Sequence, residues 1–423
     1  MGVIIAFALM VFMVYKKSPM PLAAVVAAIV MCLLSGLNVV ETMTGAFMEG
    51  TASFIKSNLL LFFFSAIYAA VMDASGAAHS LGKWLAKSIG SKLAIWGVSF
   101  AALVLTYGGI SCFVIVFAMY PIALVLYKEA NISHKLIPAT IGAGAFLAPN
   151  TLLGSPALCN LIPAQHLGTD PMAAPVVSIV ASLVMYLTAN IYLVLRNKSN
   201  QKKGIGFVPT ERIQKTIDEN EARTTVNAGL AVLPLVAIIF TLNVLKWNVL
   251  VAVCTGTLVA FILFWNRIDN KFGVLISGSQ SGISSVMNTA PVVGLGNVAK
   301  LTNFFNSVVG FATGMQGSPL VSWTIAAAIV GFITSSGSGA QAIIGGTLAP
   351  TYLAMGVNAE ILHRILSCAI LGPANTPWNG TMCLTMAACD CSHKDSYLDL
   401  LLTTLIGTVC GLVVMIVMGG IIY

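Results

Sequence analysis

Apolar residues fall along this chain in long, nearly charge-free blocks rather than at helical or alternating spacing. Such blocks lie near 2–15, 20–39, 52–73, 172–195, 226–244, 247–265, 276–299 and 397–422. Most approach the roughly 20 residues a helix needs to cross hydrocarbon, so they predict transmembrane helices. The first block starts directly after Met1-Gly2, with its first cations, Lys16 and Lys17, behind it. It reads as an anchor and not as a cleaved leader.

Four further apolar regions are interrupted, and the interruptions come in the same order in each half. Thr106-Tyr107-Gly108-Gly109-Ile110-Ser111 divides 93–127, and Thr334-Ser335-Ser336-Gly337-Ser338-Gly339 divides 321–354. Pro149-Asn150-Thr151 with Gly154-Ser155-Pro156 breaks 136–165, and Gly372-Pro373-Ala374-Asn375-Thr376-Pro377 breaks 361–388. A helix opened in hydrocarbon frees N–H and C=O groups that lipid cannot satisfy, so such openings persist only where they line a polar cavity. Paired openings in two halves point to a transport site. About 35 residues of helix at 1.5 Å each reach roughly 50 Å, too little for two full crossings, so 93–127 and 321–354 are read as re-entrant hairpins.

The fold expected is an all-α polytopic membrane protein of two repeats, residues 1–195 and 226–423. Each repeat has five transmembrane helices, a re-entrant hairpin and a broken helix. An odd number of crossings inverts the second repeat relative to the first. The polar stretch 196–225 between them, with Lys198, Lys202, Lys203, Glu211, Arg212, Lys215, Asp218, Glu219 and Glu221, is a partly helical linker.

Composition agrees: 58% of residues are hydrophobic and 8% charged, against about a quarter charged in soluble domains. With the amino terminus outside, 17 of the 21 Lys and Arg fall on the cytoplasmic side, the linker's among them. Lys56, Lys246, Lys300 and Arg364 are left at or toward the other side. The positive-inside bias thus accounts for the net charge of +7 without nucleic acid. Both termini are expected outside and the linker in the cytoplasm.

The candidate chemistry sits at the breaks. Thr106, Tyr107 and Ser111 flank Gly108 and Gly109, while Ser335, Ser336 and Ser338 flank Gly337. Glycines admit close backbone approach, hydroxyls donate to a carboxylate or accept a cation, and half-helix amino termini attract an anion. Small residues also serve close helix packing, but four breaks in matching order favour a site. Asn150, Thr151 and Ser155 in one broken helix, and Asn375, Thr376 and Asn379 in the other, add amide and hydroxyl groups. Lys300 either draws in a carboxylate or snorkels to the interface.

No Asp or Glu lies at a break, and His79, His134, His166, His363 and His393 read as helix-end or loop residues. Asp73 is read as a cap for a following helix. Cys389-Asp390-Cys391 with His393 is read as a solvated helix end with reduced thiols, so no metal or cofactor is expected. No catalytic or phosphate-binding motif is visible, and the chain is not expected to be an enzyme.

Thr106-Tyr107-Gly108-Gly109-Ile110-Ser111-Cys112-Phe113, Leu136-Ile137-Pro138-Ala139-Thr140, Gly154-Ser155-Pro156, Asn160-Leu161-Ile162-Pro163, Gly168-Thr169 and Ser335-Ser336-Gly337-Ser338-Gly339 together resemble the gluconate permease family of the ion transporter superfamily. The stretch Gly294 to Lys300 looks like its hydroxybutyrate-permease branch. The resemblance implies a homodimer in a bacterial inner membrane that moves a small hydroxy-carboxylate, such as gluconate or 3-hydroxybutyrate, by an elevator motion. It implies a proton as the coupling ion; with no embedded carboxylate, sodium held by carbonyls and hydroxyls stays open. An anion channel is the rival reading.

Overall fold

The computed structural model describes residues 2–16, 18–110, 112–222, 226–303, 307, 310, 317–377 and 379–423, and among these it is helical with no strand. The helices of the first half are α1 (Gly2–Tyr15), α2 (Met20–Ser35), α3 (Val39–Ala74), α4 (Ala77–Ile89), α5 (Ala94–Tyr107), α6 (Cys112–Glu129), α7 (Ile137–Ala145), α8 (Leu158–Leu167) and α9 (Pro175–Lys202). After the linker helix α10 (Glu211–Ala222) come α11 (Ala228–Asn243), α12 (Val249–Leu263), α13 (Lys271–Lys300), α14 (Pro319–Thr334), α15 (Gly337–Thr347), α16 (Ala359–Ala369), α17 (Gly380–Ala388) and α18 (Leu398–Ile422). Val39–Ala74, Pro175–Lys202 and His393–Ile422 are long and apolar enough to cross a membrane.

Local chemistry sets many of the starts. Asn227, Asn248 and Asn358 accept N–H groups two residues on, and Asn270 accepts one three residues on, each satisfying a donor that the first helical turn leaves free. Gly36 and Gly168 end α2 and α8 in left-handed geometry.

The packing pairs corresponding elements of the two halves. The pair α1 and α2 matches α11 and α12; α2 lies on α13 as α12 lies on α3; α5 packs on α7 as α14 packs on α16. The long helices pair with each other, α3 with α13 and α9 with α18. A Cβ on Gly278 or Gly282 of α13 would stand 2.8 Å from the Ile67 Cα or 2.7 Å from the Phe63 Cα of α3, so missing side chains set how close these two come.

Polar contacts gather at the ends. At one end Lys135 pairs with Asp395 (2.7 Å), Arg196 with Asp399 (2.8 Å) and Arg212 with Asp390 (2.7 Å). At the other, the Ala174 N–H donates to Glu360 (2.7 Å) and Lys246 lies 4.0 Å from Asp170.

Two sequence expectations change. Residues 77–89, where a helix was expected after Asp73, form the amphipathic helix α4, with Ala77, Ala78 and Leu81 in the core. His363, in the middle of α16, is fully buried and is not an end or loop residue, while His79 lies in the first turn of α4, at a helix end as expected, but fully buried. Cys389 and Cys391 are buried, not solvated, because α10 lies over that end, with Ile213 and Ile217 inward and Arg212 on Asp390. His393 donates to the Pro377 carbonyl (2.7 Å), and no group of metal-ligating side chains occurs among the described residues.

Candidate functional site

The first hairpin turns within three residues. After Tyr107 the Gly108 N–H still donates to Val104, the Ile110 N–H reaches back to Leu105 at 3.1 Å, and Gly109 takes a φ of 89°. That left-handed geometry disfavours any residue with a Cβ. The turn stands beside Leu235, midway along α11, since a side chain on Gly108 would run into it. At only 14 residues, about 21 Å of helix, α5 is too short to cross about 30 Å of hydrocarbon.

The tip rests on the first broken helix. Tyr107 donates its phenol proton to the Leu153 carbonyl (3.1 Å), and Pro156 lies 3.5 Å from where a Cβ on Gly109 would stand. Thr106, in contrast, donates to Ala102 in its own helix (2.8 Å). Ser111 lies outside the described residues.

The broken helix consists of α7, a short turn Ala148–Thr151, non-helical chain over 152–157, and α8. Asn150 donates to the Ala145 carbonyl at 3.4 Å. The Thr151 hydroxyl meets Ser182 at 2.8 Å, and its carbonyl accepts from Ser178 at 2.8 Å. The Ser155 hydroxyl accepts the Ala157 N–H (3.2 Å) just ahead of α8.

In the second half Ser335 adopts a φ of 50° at the turn, and the Ser336 hydroxyl caps α15 by accepting the Gly339 N–H (3.2 Å). Gly337 and Ser338 form the first turn of that helix, half-buried. This tip, too, sits on a broken helix: α16, then non-helical chain, then α17. Ser335 bonds Thr376 hydroxyl to hydroxyl. Asn379 donates to the Ser335 carbonyl (2.7 Å) and the Ala374 carbonyl (2.9 Å), while its own oxygen caps α17 at Thr381 (2.8 Å) and Met382 (3.1 Å). The Asn375 carbonyl accepts from Tyr397 (2.9 Å). No direct hydrogen bond joins Asn150 to Asn375 among the described residues.

Each hairpin also reaches across to the other half, α15 lying on α8 and α6 on α17. Gln341 of α15 donates to the Cys159 carbonyl of α8 at 2.8 Å. Lys300 stands apart from the tips. Its Nζ lies 3.7 Å from where a Cβ on Gly346 would stand, beside His166. Gly346 is nine residues along α15 from Gly337, about 13 Å. Replacing Lys300 with Gln is therefore expected to leave the half-saturating substrate concentration within about twofold at physiological salt and to slow uptake mainly at low salt, as a peripheral charge does. A tenfold loss of affinity at both salt levels would return Lys300 to the site.

Several side chains that matter here were absent from the sequence-based site: Asn160, His363 and Arg364, all fully buried. Polar residues inside apolar blocks were the available signal for them. Arg364 in particular, left by its charge at or toward the outer side, is fully buried and bonded to the first broken helix.

Paired hairpins docked on paired helix breaks, in an all-helical apolar fold, define a membrane transporter. The model of the CitMHS citrate transporter family matches residues 9–276, and the chain belongs to that family, within the ion transporter superfamily. The family matched is the citrate transporters and not the gluconate permeases that the sequence motifs resemble. The Bacillus subtilis protein described as the uncharacterized transporter YxjC is 28% identical over 455 aligned residues, covering 96% of each chain. An uncharacterized transporter of Haemophilus influenzae is 23% identical, covering 85% of this chain and 83% of that one. Among solved structures, the YdaH transporter of Alcanivorax borkumensis superposes with a TM-score of 0.60 at 12% identity, over 90% of this chain and 88% of that one. MtrF of Neisseria gonorrhoeae, described as illuminating a class of antimetabolite efflux pumps, gives 0.57 at 14% identity, over 91% and 84%. These two share its fold.

Proposed function

We propose that this chain is a secondary active symporter taking up a small organic carboxylate of the hydroxy-acid class, for which citrate, gluconate and 3-hydroxybutyrate are representative probes. The observation that carries the reading is the second hairpin tip, where the 11-residue α15 opens on Ser336 and Ser338 and the adjoining Ser335 bonds Thr376 of a non-helical stretch. Free N–H groups there, with the helix dipole behind them, favour an anion without a full positive charge. The paired packing supports two inverted-topology repeats, and repeats joined through hairpins and broken helices suit an elevator motion within a homodimer in a bacterial inner membrane.

The coupling ion is a proton or sodium. The lack of any Asp or Glu at the four breaks favours sodium, held by hydroxyls and carbonyls, as the second reading. Purified protein in proteoliposomes, given each labelled acid under an imposed pH gradient or an imposed sodium gradient, is expected to accumulate one of them saturably under one gradient. Flux that only runs downhill and never saturates would leave an anion channel instead.

The sides of the membrane follow from the charge distribution. A single cysteine placed in the 203–210 stretch of a cysteine-free variant is expected to resist an impermeant thiol reagent in intact cells and to react after permeabilisation. Strong labelling of intact cells would reverse the orientation.

A further inference from the structure

Arg364 has the most demanding environment of any cation among the described residues. It has no measurable exposure, and its donors end on oxygens of the other half, two in the broken helix and two in the connection that follows α8. Nε donates to the Ala173 carbonyl (2.6 Å), Nη2 to the Pro171 carbonyl (2.7 Å), and Nη1 to both the Thr151 carbonyl (3.1 Å) and the Asn160 Oδ1 (2.7 Å). A guanidinium suits this task because its five N–H donors lie in one rigid plane, whereas a lysine offers a single point.

Asn160 is the hinge of the arrangement. Its Nδ2 donates to the Ser155 carbonyl (2.8 Å) and the Pro171 carbonyl (3.3 Å), so its Oδ1 must be the acceptor facing Arg364. His363 Nε2 therefore also donates to that oxygen (2.9 Å), which leaves Nδ1 to accept from the Thr169 hydroxyl (2.7 Å). Two donors from α16 thus fix which way the Asn160 amide points, and the amide in turn holds the bend at Ser155. That bend places Leu153 and Pro156 under the first hairpin tip.

We propose that Arg364 is a positioning residue for the carboxylate site: supplied by the second half, it orients Asn160, and Asn160 shapes the 152–157 turn on which the first tip rests. The proposal rests on the transport reading for its consequence in uptake, and on the turn alone for its consequence in structure.

Hydrogen–deuterium exchange separates the two. In the wild-type protein the amides of Gly154, Ser155 and Ala157, although in non-helical chain, are expected to exchange as slowly as those of α16. Exchange at the rate of an exposed loop would overturn the proposal without any variant. Asn160→Asp keeps an acceptor for Arg364 and adds a charge pair, but removes both donations that hold the bend. It is expected to speed exchange at 154–157 by about tenfold or more, the scale of one lost hydrogen bond, without lowering the melting temperature. Uptake should show a half-saturating concentration raised about tenfold, with the maximal rate little changed. Arg364→Lys should reproduce the exchange effect. If Arg364 were only a buried cation needing a partner, Asn160→Asp would leave exchange and uptake intact, and that result would refute the positioning role. Should no carboxylate be transported by the wild-type protein, the function proposed above fails while the exchange data still decide this inference.

Discussion

Replacing Asn379 with Ala is expected to reduce initial uptake by two orders of magnitude or more in protein of matched expression. Asn379 makes four hydrogen bonds from a site only 7% exposed, two as donor to the hairpin tip and to its own broken helix, two as acceptor at the start of α17. Its removal leaves the Ser335 carbonyl buried without the amide donor and the Ala374 carbonyl with only the long bond from the Ser335 hydroxyl (3.4 Å), at about 1–3 kcal/mol for each partner lost. A shift of roughly 3 kcal/mol or more against the assembled tip corresponds to about a hundredfold fewer competent sites. Asn379→Asp, which retains the cap at Thr381 and Met382 but cannot donate, should be defective as well. Uptake by both variants within threefold of wild type would show that the tip holds its shape without this amide.

Gly144→Val should prevent recovery of monodisperse protein, or lower its melting temperature by roughly 5–10 °C where some survives. A Cβ at Gly144 would stand 2.8 Å from the Ala102 Cβ and 2.9 Å from the Ser99 carbonyl carbon, with the Ser99 oxygen nearer still. Backbone of α5 cannot give way there, because Ser99 is tied to Asn190 at 2.6 Å. Overpacking of this kind costs about 1–3 kcal/mol, and the β-branch adds to it. Gly45→Ala is the control, since nothing lies within 4 Å of its added carbon. Equal stability of the two variants would mean that α7 and α5 approach less closely than the structure has them.

The elements were legible because their signals are local. Apolar blocks and clusters of Gly, Pro and Asn put the second hairpin at 321–354 and the first broken helix at 136–165, where the helices run Pro319–Ala354 and Ile137–Leu167. The amphipathic α4 was legible only as a helix following Asp73, without bounds, because 13 residues are too few to register as a span. At the candidate site, residue types were easier to find than their engagements. Ser and Thr in apolar helices commonly bond the carbonyl one turn back, as Thr106 and Thr151 do, while Thr151 and Ser335 bond other hydroxyls as well. Nothing local distinguishes these hydroxyls from the one proposed to face a ligand, that of Ser338. Arg364 is the extreme case: a lone arginine near the start of an apolar segment looks like a flanking charge, and its true partners are some two hundred residues away.

That separation has a consequence for how the chain is made. Asn160 and Arg364 lie 204 positions apart. At about 5–20 residues added per second, the interval between their synthesis is on the order of 10–40 s. Throughout it, the first broken helix sits in the nascent protein without the guanidinium that closes its carbonyls. Ribosomes that stall or terminate before α16 therefore release a chain whose polar backbone is exposed in lipid, a form that membrane quality-control proteases are well placed to recognise. Expressing residues 1–202 alone should yield a short-lived fragment, and supplying residues 203–423 from a second gene should lengthen its half-life.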